Sequence, residues 1–397
     1  MIWQTANLGS LGDFRNGLNY SRDNAGEGLK VISVKDFGDL RTPNYQNLDQ
    51  INPDGVNTKD SRLKRGDIIF VRSNGNKELI GRSMYIEDDM PDVSFSGFCI
   101  RFRKNSNTVT PKFLAYYFRS PLFRRTLSNL GGGTNINNLN QTVLHNFIIE
   151  FPDIGQQNSI VSVISAFDDL IENNQRRSTL LEEAARLLYR EWFVHLRFPG
   201  NERTKIINGT PEGWSHKPFA ALGDFLNGFA FKPHHLGEEG VPIVKIPELK
   251  GGILSKTPRY DGDDIPSKYL LNEGDLIFSW SGTLAVEFWV SGQAWLNQHL
   301  FKVTPTSSVS AAFLLIALRE AMPQFMNHSV GATMKHIRRS ALSDVCVLLP
   351  NPGLLDEFQC IVDQNYRQIG LLKQQNIKLA EARDLLLPRL MDGRIEV

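Results

Sequence analysis

The sequence predicts a mixed α/β (α+β) protein built from two similar globular modules and two long antiparallel coiled-coil helices, arranged as a pseudo-two-fold internal repeat. Three observations predict it. Trp3 is followed by Leu11-Gly12-Asp13-Phe14-Arg15-Asn16-Gly17, and 211 residues later Trp214 is followed by Leu222-Gly223-Asp224-Phe225-Leu226-Asn227-Gly228. Leu63-Lys64-Arg65-Gly66-Asp67-Ile68-Ile69-Phe70 returns as Leu271-Asn272-Glu273-Gly274-Asp275-Leu276-Ile277-Phe278, and Gly133-Thr134-Asn135-Ile136 as Gly331-Ala332-Thr333-Met334. Pro152 and Pro350 then each open a heptad-patterned stretch. A repeat near 200 residues is too long for a solenoid and fits a duplicated unit of one globular module plus one helix.

The boundaries this implies are a first module over residues 1–152, a first helix over 153–198, a second module over 199–350, and a second helix with tail over 351–397. Within the modules, Ile68–Val71 and Leu276–Ser279 read as strands after a Gly-Asp turn. Phe98 to Arg103 and His299 to Val303 alternate with period two, Pro111 to Phe118 and Val309 to Leu318 read as short helices, and Phe147 to Phe151 and Val345 to Leu349 as closing strands.

Between Gly155 and Phe198, apolar or small residues fall at Ile160, Ile164, Phe167, Ile171, Asn174, Ser178, Leu181, Ala185, Leu188 and Trp192, in steps of four and three. The second helix repeats the seam at Phe358, Val362, Asn365, Ile369, Leu372, Asn376, Leu379, Arg383 and Leu386. Such helices reach about 50–60 Å at about 1.5 Å per residue, and a single apolar stripe of that length needs a partner. The cheapest partner is the other helix, paired antiparallel, with the buried amides fixing register. Leu187, Trp192 and Phe193, with Leu387 and Leu390 at the end of the second helix, widen the apolar band beyond the seam. They are expected to be a docking surface for another protein, the competing expectation being packing against the adjacent module.

Composition bounds the chemistry. The chain has 397 residues, 41% hydrophobic and 22% charged, with a net charge of +1. That average conceals a gradient, because residues 1–152 carry 19 Lys or Arg against 15 Asp or Glu while both helices are mildly acidic. Phosphate contact therefore has to come from local clusters. No secretory pattern or bilayer-length apolar run occurs, so the expectation is a cytoplasmic protein with no membrane association. Cys99, Cys346 and Cys360 lack metal spacing and are expected to be buried and reduced. No Walker loop, dinucleotide-type glycine pattern or ligand-spaced histidine set is present, and Glu248-Leu249-Lys250 reads as a loop accident rather than half of a nuclease site. The chain is expected to be non-catalytic, with no cofactor and no metal of its own.

Like frames carry unlike loops. Arg72-Ser73-Asn74-Gly75-Asn76-Lys77 faces Trp280-Ser281-Gly282-Thr283, and Asn135-Ile136-Asn137-Asn138 faces Thr333-Met334-Lys335-His336. Arginine forks onto guanine, asparagine pairs with adenine, and Thr or Trp packs on thymine methyls. The candidate DNA-binding residues are Arg62, Arg65, Arg72, Asn74, Lys77, Thr134, Asn135 and Asn137 in the first module, and Trp280, Ser281, Thr283, Thr333, Lys335 and Arg338 in the second. Arg62, Lys64, Arg65, Arg72, Lys77 and Arg82 form the densest basic cluster, while Lys335, Arg338 and Arg339 follow a Gly-Ala-Thr turn. Arg72 is expected to read a base and Arg65, whose counterpart is Glu273, to hold a phosphate.

The layout resembles the specificity (S) subunit of a type I restriction-modification system over nearly the whole chain. The residues that carry the resemblance are the paired Leu-Gly-Asp-Phe openings, the paired Gly-Asp-Ile/Leu-Ile-Phe strands and the Gly-Gly-Thr and Gly-Ala-Thr turns. The Glu-Glu-Ala-Ala-Arg helix end and the terminal Leu387-Pro388-Arg389-Leu390-Met391-Asp392-Gly393-Arg394-Ile395 complete the set. The resemblance implies two target recognition domains, each reading half of an asymmetric, bipartite sequence in double-stranded DNA. It also implies two modification (methylase) subunits that bind S-adenosylmethionine and methylate adenine N6, and restriction subunits that use ATP and Mg for translocation and cleavage. The start almost directly at Trp3 departs from the commonest layout and leaves little material for an N-terminal segment to complete the helical region. The competing function is a stand-alone bipartite nucleic-acid-binding protein without enzyme partners.

Overall fold

The structure, a computed structural model, describes residues 3–37, 41–76, 79–130, 138–330 and 336–397. Packing divides the chain into two compact units, Met1–Asp169 with Leu379–Val397, and Leu170–Lys378. Each unit contains one sheet-based module and a segment of both long helices.

The first unit is organised by an antiparallel four-stranded sheet in the order Gly12–Asn16, Cys99–Lys104, Ile68–Val71, Ser83–Tyr85. The second unit repeats the order with Gly223–Asn227, Leu300–Pro305, Leu276–Ser279 and Ala285–Phe288. A smaller sheet lies beside each. Ala25–Ile32 runs parallel to Val93–Phe95 in the first, and Val241–Val244 runs parallel to Ala294–Leu296 in the second. The chain entering the module pairs with the chain leaving it, Gln4–Asn7 with Ile148–Phe151 and Ser215–Pro218 with Cys346–Leu349, all antiparallel.

The repeated motifs have identifiable work in this frame. The Gly-Asp turn needs glycine because Gly66 and Gly274 sit at φ +90° and +87°, where a Cβ is strained. Asp67 Oδ2 accepts from the Lys64 backbone N–H at 2.8 Å, and Asp275 Oδ2 from that of Asn272 at 2.8 Å. Each aspartate also takes a cation from the neighbouring strand: Arg103 forks onto Asp67 with two bonds of 2.7 Å, and Lys302 reaches Asp275 at 2.6 Å. The hydrogen bonds to Asp67 hold the Arg103 guanidinium pKa above its ordinary value, against the opposing effect of burial. Gly17 and Gly228 end the opening motif because a Cβ there would collide with the carbonyl oxygens of Ser96 and Asn297.

A short helix crosses each sheet. Pro111–Arg119 is capped by Thr110 Oγ1 accepting from Phe113 N–H, and Ala311–Glu320 by Ser310 Oγ accepting from Phe313 N–H. Their apolar sides, Phe113, Leu114 and Phe118 in one and Phe313, Leu314 and Leu318 in the other, are fully or almost fully buried. A glutamine from the first turns of a long helix ties it to each cap: Gln157 Oε1 accepts from Thr110 N–H at 2.8 Å, and Gln359 Oε1 accepts from Ser310 N–H.

The long helices span Ile154–Tyr189 and Pro352–Met391, the first continuing through a π-type turn at Arg190–Val194. In the second unit their pairing is antiparallel. Asn174 Nδ2 donates to Asn376 Oδ1 at 3.0 Å, Asn376 Nδ2 donates to the Ile171 carbonyl at 3.2 Å, Lys373 Nζ meets Glu182 Oε1 at 3.3 Å, and Tyr189 packs on Phe358. Of the polar seam positions, Asn174 and Asn376 are therefore bonded to each other, as register-setting amides should be, while the Ser178 hydroxyl donates to the Asn174 carbonyl of its own helix at 2.9 Å. In the first unit Arg383, at a seam position, pairs with Asp168 at 2.7 Å. Asp168 also accepts from the Tyr116 hydroxyl at 2.8 Å and faces Arg41 at 3.4 Å.

The apolar band expected to dock a partner is mostly internal packing. Trp192 and Phe193 are 7% and 6% exposed and stack among Trp214, Phe313 and Phe358. Leu387 and Leu390 are 6% and 1% exposed and belong to the core that holds Ile160, Ile164 and Met391. The reason is that each helix end lies against a module, which covers the wider stripe. Leu187 alone of the five stays open, 49% exposed. The cysteines also depart from expectation, since Cys99 is buried but Cys346 is half-buried and Cys360 exposed.

Candidate nucleic-acid interface

The two modules end their sheets in the same junction. In the first, the chain leaves strand Ile68–Val71 at Arg72, whose N–H donates to the Phe98 carbonyl at 2.8 Å and whose carbonyl accepts from Leu139 N–H at 2.8 Å. In the second, Trp280 takes that place, and its carbonyl accepts from Ile337 N–H at 2.9 Å. The turn before each central strand is closed by Cys99 N–H on the Ser96 carbonyl and Leu300 N–H on the Asn297 carbonyl, at 2.9 and 3.0 Å. Phe98 and His299 consequently hold the same turn position. Asn16 and Asn227 end the paired opening strands.

Matched backbone junctions thus present different chemistry. Arg72 is half-buried, and its guanidinium has no hydrogen bond or salt bridge among the described residues. Phe98 beside it is 63% exposed. The second junction is an aromatic box. Trp280 lies 5.9 Å from His299, 5.9 Å from Phe301 and 5.8 Å from His336, centroid to centroid, and its indole N–H donates to Asn227 Oδ1 at 3.1 Å. Trp280, His336, Arg338 and Arg339 line a cavity of about 310 Å³ there. Arg339 is held by the Phe225 carbonyl at 3.2 Å and lies over the Phe301 ring, whereas Arg338 is exposed with no side-chain partner among the described residues.

The remaining expected residues are placed as follows. Arg62 is half-buried, and its carbonyl accepts from Arg103 at 3.0 Å. Arg65 is exposed and its backbone N–H donates to Asp89 at 3.0 Å, leaving the side chain free of hydrogen bonds and salt bridges among the described residues. Asn74 uses Oδ1 to close its own turn on Asn76 N–H at 2.8 Å. Ser281 is buried and bridges the backbone of His336, so its hydroxyl is not at the surface, while Thr283 is exposed. Lys77, Thr134, Asn135, Asn137, Thr333 and Lys335 lie outside the described residues.

Three other cations near the first sheet are occupied structurally. Arg15 pairs with Asp60 at 3.4 Å, Arg101 donates to the Asp60 carbonyl at 2.9 Å, and Arg103 serves Asp67. Burial pushes the Arg101 pKa down, with Arg103 adding to the effect. Glu248 caps a short helix by accepting from Lys245 N–H at 3.1 Å and takes the Thr257 hydroxyl at 3.2 Å, which accounts for its burial. Among the described residues no cluster of three or more His, Cys, Asp or Glu side chains is arranged to hold a metal, and no helix is long and apolar enough to cross a membrane.

Sequence reasoning missed Phe98 and His299, and placed His336 in an unlike loop without giving it a role. The signal available was small: Ser96-Gly97 before Phe98 marks a turn, which ejects Phe98 from the buried period-two strand that begins one residue later at Cys99.

Paired frames, unlike side chains at matched positions and unpaired cations beside them suit a protein that discriminates between sequences of a polyanion. The chain belongs to the family of type I restriction modification DNA specificity domains, whose model matches residues 2–183 and again 211–381. Among curated relatives, the type I restriction enzyme MjaIX specificity subunit of Methanocaldococcus jannaschii is 25% identical over 311 residues, covering 73% of this chain and 70% of that protein. The type I restriction enzyme EcoKI specificity subunit of Escherichia coli is 24% identical over 415 residues, covering 96% and 86%. The crystal structure of the type I restriction-modification system S subunit from M. genitalium shares the fold, with a TM-score of 0.54 at 15% identity over 98% of this chain and 96% of that one. The chain is a DNA-binding specificity subunit of this class, and the stand-alone binder is not favoured.

Proposed function

We propose that each module reads its own short half-site of a bipartite, asymmetric DNA sequence, and that the chain directs adenine-N6 methylation there by partner methylase subunits. The observation that carries this reading is the matched junction, where Arg72 and Phe98 in one module stand where Trp280 and His299 stand in the other. Frames that share strand order and turn hydrogen bonds but differ in side chains at the junction suit two readers of two sequences. In this reading Arg65 and Arg338, exposed and unpaired among the described residues, hold phosphates rather than bases. Lys77, Thr134, Asn135, Asn137, Thr333 and Lys335 flank these junctions in sequence and complete the proposed contact set.

In this reading the chain itself is non-catalytic and works in the cytoplasm. S-adenosylmethionine belongs to the two methylase subunits, and ATP with Mg to the restriction subunits that complete the complex. Methylase docking falls to the exposed leucines of the first helix, Leu180 and Leu187, 55% and 49% exposed, rather than to Trp192 and Phe193. The test is to map adenine methylation in the source genome with and without the chain. Loss of one split, asymmetric motif supports the proposal; an unchanged methylome refutes it.

A further inference from the structure

We infer that Phe98 is a specificity-determining residue of the first half-site, packing its ring against the 5-methyl group of a thymine. The inference rests on the reading of the first module as a DNA reader. Its own support is local. Phe98 lies between segments that are almost wholly buried: Phe95 and Cys99 are both 0% exposed, while Phe98 is 63% exposed. A phenyl ring ejected from a core and left in water forgoes the stabilisation that burial would give it.

The position is also rigidly held. The Phe98 carbonyl accepts from Arg72 N–H at 2.8 Å and from Ser73 N–H at 3.4 Å, and the turn beneath it is closed by Cys99 N–H on the Ser96 carbonyl. The backbone that carries the ring is therefore fixed and is joined directly to that of Arg72, whose guanidinium has no hydrogen bond or salt bridge among the described residues. An exposed apolar ring and an unpaired guanidinium carried on joined backbone segments match the major-groove edges of a thymine and a guanine, the methyl group for one and O6/N7 for the other. The equivalent residue in the second module is His299, which is turned against Trp280 rather than left open. The turn position is thus apolar and exposed in one reader, and polar and packed in the other, as a position that distinguishes two half-sites would be. A methylated adenine in the half-site guarantees an A·T pair, so at least one thymine methyl is present for the contact.

The experiment uses the full chain in complex with its methylase, on duplexes carrying the motif that the methylome defines. Thymines of the first half-site are replaced singly by deoxyuridine, which lacks only the methyl group. For the wild-type chain, one replacement should weaken binding about 4-fold, the worth of one buried methyl-sized group. Phe98→Ala should weaken binding to the thymine duplex by at least the same factor, about 4-fold, and leave scrambled duplex unaffected. Combined with the sensitive deoxyuridine, Phe98→Ala should show no further loss from that replacement. Phe98→His, which places the second module's residue on the same backbone turn, guards against a folding defect and should give the same loss on the thymine duplex. The inference is overturned if Phe98→Ala binds like wild type, if it loses equally on scrambled duplex, or if every deoxyuridine effect persists in it. Failure of the underlying reading looks different, because the wild-type complex would then show no preference for the motif over scrambled DNA.

Discussion

Asp67→Ala should destabilise the first module more than Asp275→Ala destabilises the second, although the two aspartates occupy the same place in the repeat. Asp67 is 1% exposed, takes two 2.7 Å bonds from Arg103, which is 29% exposed, and caps Lys64 N–H. Removing one partner of a buried ion pair costs about 3–5 kcal/mol, because the other charge stays desolvated. Asp275 is 23% exposed and Lys302 21%, and they share a single contact of 2.6 Å. Solvent screening at that exposure brings the pair's worth to about 1 kcal/mol. The expected difference is therefore at least about 2 kcal/mol. Five of the six tryptophans fall between residues 192 and 295, so bulk fluorescence would favour the second unit. Hydrogen exchange followed separately in strands Ile68–Val71 and Leu276–Ser279 is the suitable assay. Asp67→Asn should keep the Lys64 cap and recover about 1 kcal/mol of the loss. Equal destabilisation of the two strands, or a larger effect from Asp275→Ala, would refute the reasoning.

Three further outcomes are expected. In binding titrations across salt concentrations, Arg72→Ala should cost about 1–3 kcal/mol on the cognate half-site and far less on random DNA; Arg65→Ala should weaken both alike and lower the salt slope by about one unit. Equal fractional losses on both duplexes for Arg72→Ala would make it a phosphate clamp. Asn174→Ala strips Asn376 of one of its two bonds and should cost about 1–3 kcal/mol by denaturant unfolding, whereas the double change to leucine should cost less than either single leucine change; a double variant worse than both would contradict that. For the thiols, burial pushes the Cys99 pKa up to about 12, so its thiolate is scarce below that pH, and alkylation of the native protein at neutral pH should label exposed Cys360 and spare Cys99. Rapid labelling of Cys99 would show that the first core opens.

Sequence periodicity made the long elements legible because they repeat one rule many times. The seam from Ile160 to Trp192 and its copy from Phe358 to Leu386 located both helices and their antiparallel pairing, and the Gly-Asp repeats located the central strands. Sheet order was not legible, since Gly12–Asn16 pairs with Cys99–Lys104 across a long intervening chain and the parallel pair of Lys30–Ile32 with Val93–Phe95 is only three residues long. The apolar helix ends were misjudged for a related reason. A wide stripe looks the same in sequence whether it faces a partner chain or its own module, and Trp192 and Leu390 face the module. At the junction, Arg72 and Trp280 could be picked from the unlike loops, but Phe98 and His299 were hidden inside an apparently regular strand whose first residue the turn displaces.

The measurement that bears most directly on the account is the methylome of a chimera in which residues 1–152 alone are replaced by the corresponding module of another specificity subunit. Matched frames with independent side-chain sets predict that one half of the methylated motif changes and the other half is kept. A chimera that folds, assembles and methylates, but changes both halves or neither, would contradict the claim that each module reads its own half-site.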